Sequence, residues 1–203
     1  MSWDAHIQKV SNKISRTLGI LSRLKRYLPP HILRILYNSL VQPHLQYAIL
    51  AWGFNSNRLS KLQKRAVRII TNSKYNAHTE PLFKTLNLLK IDDIFRLNAI
   101  KFYYKYTKAD LPLYFSNMFT RVSDIHNYPT RSNFAPVLGR TTTESGKRCI
   151  RQFIPNLIRE IAPCVRDKIE THSLRGLSLY FKKFMINAYS ETCLKQNCYI
   201  CNN

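Results

Sequence analysis

Acidic residues are scarce in this chain: 11 Asp and Glu stand against 32 Lys and Arg, a formal charge of +21. Between Ala5 and Thr79 there is no Asp or Glu at all, while Lys and Arg occur thirteen times. A folded chain carrying such a field repels itself, and a polyanionic partner relieves the strain. Nucleic acid is the commonest such partner, and an anionic membrane surface is the second. Glycine is also scarce, with five residues in 203, which argues against an all-β protein built on many tight turns. No run approaches the ~18 apolar residues of a membrane span. Met1-Ser2-Trp3-Asp4 lacks the charged stretch and apolar run of a secretory signal, so the expected setting is intracellular. The five cysteines are odd in number and form no evenly spaced framework, so reduced thiols are expected.

What is present is helical patterning. Apolar residues make up 45% of the chain, enough for a core. Ile7, Val10, Ile14, Leu18, Leu21, Leu24 and Leu28 recur at three- and four-residue steps, predicting an amphipathic helix over 4–28 that Pro29-Pro30 ends. Lys9, Lys13 and Arg16 lie on its other faces. A second helix is expected from His31 to Leu40, with a break or kink at Pro43, and 45–54 reads as a buried helical continuation ending at Gly53. Further helices are expected over 57–71, over 79–89 with Thr79 as N-cap, and from Asp92-Asp93 through Tyr106. Pro112 to Phe119 reads as one short helical turn. Residues 120–147 lack periodicity and carry Pro129, Pro136, Gly139 and Gly146, so they read as a linker or extended arm. Helical patterning returns over 147–191, with interruptions expected at Pro155, Pro163 and Gly176. Leu177, Phe181 and Phe184 share a face of the last helix.

The expected fold is therefore all-α: an irregular bundle of about six to eight helices with an extended loop near 120–147. The patterning divides it into a helical domain over 1–119, the linker, and a small helical region over 148–203.

The helix over 57–71 carries the sharpest functional signal. Leu59, Leu62, Ala66, Ile69 and Ile70 fall on one arc of its wheel. Arg58, Lys61, Lys64, Arg65 and Arg68 fall on another, with no acid among them. A solvated helix face ordinarily mixes signs to form i,i+4 pairs, whereas an unmixed cationic stripe suits a phosphate backbone. With Lys9, Lys13 and Arg16, these residues form the candidate nucleic-acid-binding set. No base-reading motif accompanies them, so backbone recognition with little sequence specificity is expected.

Other chemistry is weaker. Asp92-Asp93 resembles a polymerase metal pair only in being paired. The local sequence Leu89-Lys90-Ile91-Asp92-Asp93-Ile94-Phe95-Arg96 lacks an aromatic residue one position before the pair and lacks a strand pattern. Helix capping and dipole complementation account for both carboxylates. Cys193, Cys198 and Cys201 supply at most half a zinc site, which His172 or Cys164 would have to complete, so no cofactor is expected. Tyr103, Tyr104 and Tyr106 stand beside Lys101, Lys105 and Lys108, a pattern that serves base stacking but more often packing. No Gly-rich phosphate loop and no catalytic Ser, Cys or His arrangement is visible.

Six words of the sequence, in order, resemble the segment that follows the palm in LINE-type reverse transcriptases of the jockey-like group of non-LTR retrotransposons. They are Trp3-Asp4-Ala5-His6-Ile7 with Leu18-Gly19-Ile20-Leu21-Ser22-Arg23; Leu36-Tyr37-Asn38-Ser39-Leu40-Val41-Gln42-Pro43-His44-Leu45-Gln46-Tyr47; Ala51-Trp52-Gly53; Leu59-Ser60-Lys61-Leu62-Gln63-Lys64-Arg65-Ala66-Val67-Arg68-Ile69-Ile70; His78-Thr79-Glu80-Pro81-Leu82-Phe83; and His126-Asn127-Tyr128-Pro129-Thr130-Arg131. The resemblance covers about Ser2 to Arg131. It implies a helical thumb that grips a template–primer duplex of RNA and DNA. The endonuclease and the aromatic-x-Asp-Asp motif of the family lie upstream, so it implies no catalysis by this segment alone and a palm-bearing reverse transcriptase chain as a possible partner. Beyond Arg131, Gly146-Lys147-Arg148 and Phe181-Lys182-Lys183-Phe184 are similar to the family's tail, but Phe153-Ile154-Pro155-Asn156 stands where its Trp-Asn step is usual. The competing reading is a stand-alone basic RNA- or DNA-binding, or protein-interaction, module derived from a retroelement.

Overall fold

The structure, a computed structural model, describes residues 3–120, 125, 136–161 and 163–190. Among these the fold is all-α, with no strand. Two compact units are formed, one by Met1–Phe95 with Lys182–Asn203 and the other by Arg96–Phe181. Their limits fall inside two helices, whereas the changes in sequence patterning lie near 119 and 147.

In the first unit, α1 (Asp4–Leu24) buries Ile7, Val10, Ile14, Leu18 and Leu21. It stops one turn before the prolines, where the Tyr27 and Leu28 amides both donate to Leu24 O at 2.9 Å. A residue before proline avoids the helical region, so the tightening must come earlier than Leu28. Pro30 then opens α2 (Pro30–Leu40), where its missing N–H costs nothing.

The apolar stretch expected as one continuing helix is instead broken. Pro43 restarts the chain in the first turn of α3 (Gln42–Gln46), and α4 (Ile49–Trp52) follows, then a 3-10 turn at Gly53–Asn55. Between α3 and α4, Ala48 takes a left-handed φ of 49°. That conformation is unfavourable for a residue with a Cβ. It is held by burial on both sides, because Leu45, Ile49 and Trp52 are all within 2% of full burial. The Trp52 indole also donates to Tyr47 O at 2.8 Å. Gly53 is required by packing: a Cβ there would lie 2.4 Å from the Phe95 ring.

α5 (Asn57–Ile70) packs along α1 and carries the unit's central polar contact. Gln63 is 1% exposed. Its amide nitrogen donates to Tyr37 Oη at 3.0 Å and to Leu89 O at 2.9 Å, and its amide oxygen accepts from the Ile91 amide at 2.9 Å. One side chain thus ties α5 to α2 and to the link between α6 (Glu80–Thr85) and α7 (Ile91–Thr107). Thr79 occupies the N-cap position of α6 as expected, but its side chain makes no capping bond.

The returning chain closes this unit through Tyr189. Its hydroxyl donates to the buried Asp93 carboxylate and accepts from the Lys90 amide at 3.1 Å. Lys84 Nζ donates to Tyr189 O at 3.1 Å, and Lys90 Nζ lies 4.3 Å from the Tyr189 ring centroid.

In the second unit, a 3-10 turn at Leu113–Phe115 follows the end of α7. Tyr106 is a packing residue: its hydroxyl donates to Phe119 O at 2.7 Å and its ring meets Phe119 edge-on at 4.9 Å. Tyr103 is 5% exposed. Packing accordingly accounts for these two tyrosines, while Tyr104 has Lys108 Nζ 5.9 Å from its ring. Within the expected linker, α8 (Glu144–Lys147) forms with Thr143 accepting from the Gly146 amide at 3.1 Å. α9 (Ile150–Glu160) runs through Pro155 without interruption. A mid-helix proline costs on the order of 3 kcal/mol, which burial of Ile154, Leu157 and Ile158 along the same face offsets. Pro163 opens α10 (Pro163–Thr171), and Gly176 lies inside α11 (Leu174–Asn187) rather than ending it. On α11, Leu177 and Phe181 are buried, whereas Phe184 is 38% exposed.

Two predictions test the polar hub. Gln63→Leu keeps the volume but strands the Leu89 carbonyl and the Ile91 amide; we expect a loss of about 2–4 kcal/mol, read as a lower urea midpoint. A loss under roughly 0.5 kcal/mol would contradict the role assigned to this amide. Burial pushes the Tyr37 phenol from 10.0 up to about 12, an effect reduced by its hydrogen bond from Gln63. Unfolded Tyr37 therefore loses its proton first as pH rises, and its contribution to stability is present below pH 10.0 and lost through about 12. The wild type should lose more of its urea midpoint across that window than Tyr37→Phe does, and parallel curves would refute the assignment.

Candidate nucleic-acid interface

Gln63, Leu59, Ala66, Val67, Ile69 and Ile70 are the buried residues of α5, and Leu62, expected among them, is only half-buried. Around a helix of about 100° per residue, the buried arc centres between Leu59 and Ile70 and includes Gln63, and the five basic residues occupy an arc of about 120° on the opposite side. Arg58, Lys61, Lys64 and Arg65 are exposed. The alignment of the stripe is thus set by the buried amide beneath it.

The structure divides the expected set. Arg68 is half-buried, and its Nε donates to Ala77 O at 2.8 Å. It pins the loop after α5 and has little freedom to reach a ligand. Arg58 bonds Gln8 Oε1 on α1, which fixes the first turn of the stripe against that helix. Lys61, Lys64 and Arg65 project without a hydrogen bond or ion pair among the described residues. The ion pairs Lys90–Glu80, Lys105–Asp110 and Lys147–Glu144 use none of the eight expected cations. Lys64 does add to the field that, after the dominant hydrogen bond from Lys90, holds the Glu80 carboxyl below its usual range.

Lys9, Lys13 and Arg16 are exposed along one face of α1, at i, i+4 and i+7. Lys9 and Lys13 also line a groove of about 290 Å³ with His6, Val10, His44 and Tyr47. Sequence patterning did not single out this groove, because His44 and Tyr47 come to Lys9 and Lys13 by tertiary packing that periodicity does not give.

The paired aspartates are structural. Asp92 accepts from Ser56 Oγ at 3.0 Å and Asp93 from Tyr189 Oη. Both lie in the first turn of α7, as dipole complementation predicts, but their side chains serve tertiary contacts. Cys193, Cys198 and Cys201, and the word from His126 to Arg131, lie outside the described residues. No helix among the described residues is long and apolar enough to cross a membrane.

Comparison with protein-family models, with curated proteins and with solved structures gives no match. The interface therefore stands on its own chemistry: four exposed cations on one helix and three more on an exposed face of α1.

The division within α5 is testable by stability alone. Arg68→Gln removes a half-buried charge-assisted bond, and a cost of about 1–3 kcal/mol is expected. Lys61→Gln, Lys64→Gln and Arg65→Gln should each lie within about 0.5 kcal/mol of the parent. Equal urea midpoints for all four variants would show that Arg68 belongs with the free cations.

Proposed function

We propose that this chain is the duplex-gripping, thumb-like segment of a LINE-type reverse transcriptase and binds an RNA–DNA template–primer through its phosphate backbone. The observation that carries the reading is the α5 face, where Arg58, Lys61, Lys64 and Arg65 face solvent with no carboxylate among them. Arg16 is exposed on the Lys9–Lys13 face of α1. Phosphate neutralisation releases condensed counterions, and it needs no base-reading side chain.

The resemblance supports the same assignment. Its word from Leu59 to Ile70 falls within α5 and supplies both most of the stripe and the Gln63 hub beneath it. Tyr37 and Trp52, which belong to two other words, are each 1% exposed. In this reading the chain makes and breaks no bonds. It holds the duplex while a palm-bearing chain or segment supplies the two-metal chemistry.

The test is binding to an RNA–DNA template–primer across a salt series. Log affinity should fall with log salt at a slope of roughly −4 to −6. The variant Lys61→Gln/Lys64→Gln/Arg65→Gln, which spares Arg68, should reduce that slope by about 2–3 and weaken all sequences alike. A folded wild-type chain that binds without a salt slope would sink the proposal. An unchanged slope in the triple variant would move the contact off α5.

A further inference from the structure

The groove between α1 and α3 differs from the α5 stripe in kind. It is a concavity of about 290 Å³, near the lower end of the size range of ligand pockets. Of its six lining residues, five offer a cation, an imidazole or a phenol, and none is a carboxylate. Lys9 and Lys13 stand one helical turn apart on α1, as two ammonium groups flanking one phosphate would. Tyr47 contributes a ring that is 71% exposed. His6 completes the wall; its ring meets Trp3 edge-on at 5.9 Å and lies tilted against Trp52 at 6.0 Å, and its Nε2 is buried without a hydrogen-bond partner.

The position of Tyr47 is built. Its carbonyl is held by the Trp52 indole at 2.8 Å, and the next residue, Ala48, takes the left-handed conformation. Non-glycine residues persist in that region only where their surroundings over-determine them. Here the surroundings are the buried Leu45, Ile49 and Trp52. The outcome is a large aromatic ring set out in solvent on a rigid backbone beside two lysines. A ring so placed loses little entropy on binding a flat partner. Aromatic rings beside backbone-tracking cations are how proteins hold unpaired bases without reading their identity.

We infer that this groove holds one unpaired nucleotide of a bound strand, with its base stacked on Tyr47 and its phosphate between Lys9 and Lys13. The inference rests on the nucleic-acid-binding reading above and adds a single-stranded subsite to it. A base pair inside a duplex has both faces covered by its neighbours and cannot stack on the ring, so the groove favours an unpaired base, which can also reach the lysines with its own phosphate. The same base-and-phosphate chemistry belongs to a free mononucleotide, and the test must separate the two sources.

The experiment compares a blunt RNA–DNA duplex with the same duplex bearing a short single-stranded template overhang. The wild type should bind the overhang form roughly 5-fold tighter or more. Tyr47→Ala should erase that preference while binding the blunt duplex as before, with an unchanged urea midpoint showing that the exposed ring was not needed for folding. Lys9→Gln/Lys13→Gln should weaken overhang binding more than blunt binding. 5-Iodouridine placed in the overhang should crosslink to the peptide bearing Tyr47. Salt-dependent blunt binding with no overhang preference overturns the inference and leaves the duplex reading standing. Binding to neither form overturns both. Crosslinking of free 5-iodouridine monophosphate to the Tyr47 peptide as efficiently as the overhang makes the groove a mononucleotide site, and the strand assignment falls.

Discussion

The buried amide of Gln63 sets the geometry on which the proposed interface depends. A helix packed only by apolar contacts can rotate or slide at modest cost, because dispersion and burial are not directional. Gln63 removes that freedom. Both its amide ends are engaged, with Tyr37, Leu89 and Ile91, in a site where an unmade bond costs more than a made one returns. A rotation of α5 by one residue would take the amide from its partners and turn Lys64 toward the core. The exposure of Arg58, Lys61, Lys64 and Arg65 is thus a consequence of a polar contact on the opposite side of the helix.

The few carboxylates of the first unit have a matching logic. Asp92 is occupied by Ser56, Asp93 by Tyr189, and Glu80 by Lys90. These three secure the α6–α7 region, while Asp4, in the first turn of α1, accepts from Asn55 Nδ2 at 3.1 Å. Among the described residues Lys61, Lys64 and Arg65 form no ion pair, and Glu80, which feels the field of Lys64, is held by Lys90 instead. In a chain of formal charge +21 this arrangement raises self-repulsion, and sign-mixing on those faces would have lowered it. That the acids go to tertiary contacts while the stripe stays unmixed is the electrostatic argument for a polyanion.

Much of this was legible in sequence. The helical class, the start of α2 to within one residue of His31, α5 almost to the residue, and the opening of α7 at Asp92-Asp93 follow from periodicity and capping chemistry. The failures have physical causes. The run from Leu45 to Phe54 has too little polar content for its period to show a break, and the left-handed turn at Ala48 bears no glycine to mark it. Pro155 signals interruption by local rules, but a helix face with enough burial carries it. On the wheel Gln63 falls within the apolar arc of α5, yet a glutamine ordinarily sits outside a core, and only the tertiary positions of Tyr37, Leu89 and Ile91 show why it is inside. Arg68 was indistinguishable from its neighbours in the stripe, because its partner, Ala77 O, belongs to a loop whose path periodicity does not give.

α1 is the element that relates the two binding features. Through Gln8 it meets Arg58 of the stripe, and one position further, at Lys9, it enters the groove. Successive residues on a helix differ by about 100°, so these contacts point to different sides of the same helix. A duplex lying along α5 and a nucleotide in the groove would therefore be held by one rigid rod. That rod is itself fixed, since Ile14 and Leu21 are fully buried and Leu18 is 1% exposed. Rigid coupling has an energetic consequence. Once the duplex is seated, a strand leaving it meets Tyr47 at high effective concentration and without further ordering of the protein. The modest size of the groove would then be no obstacle to its use, because in the proposed reading the α5 stripe supplies the affinity and the groove needs only to discriminate a free base from a paired one.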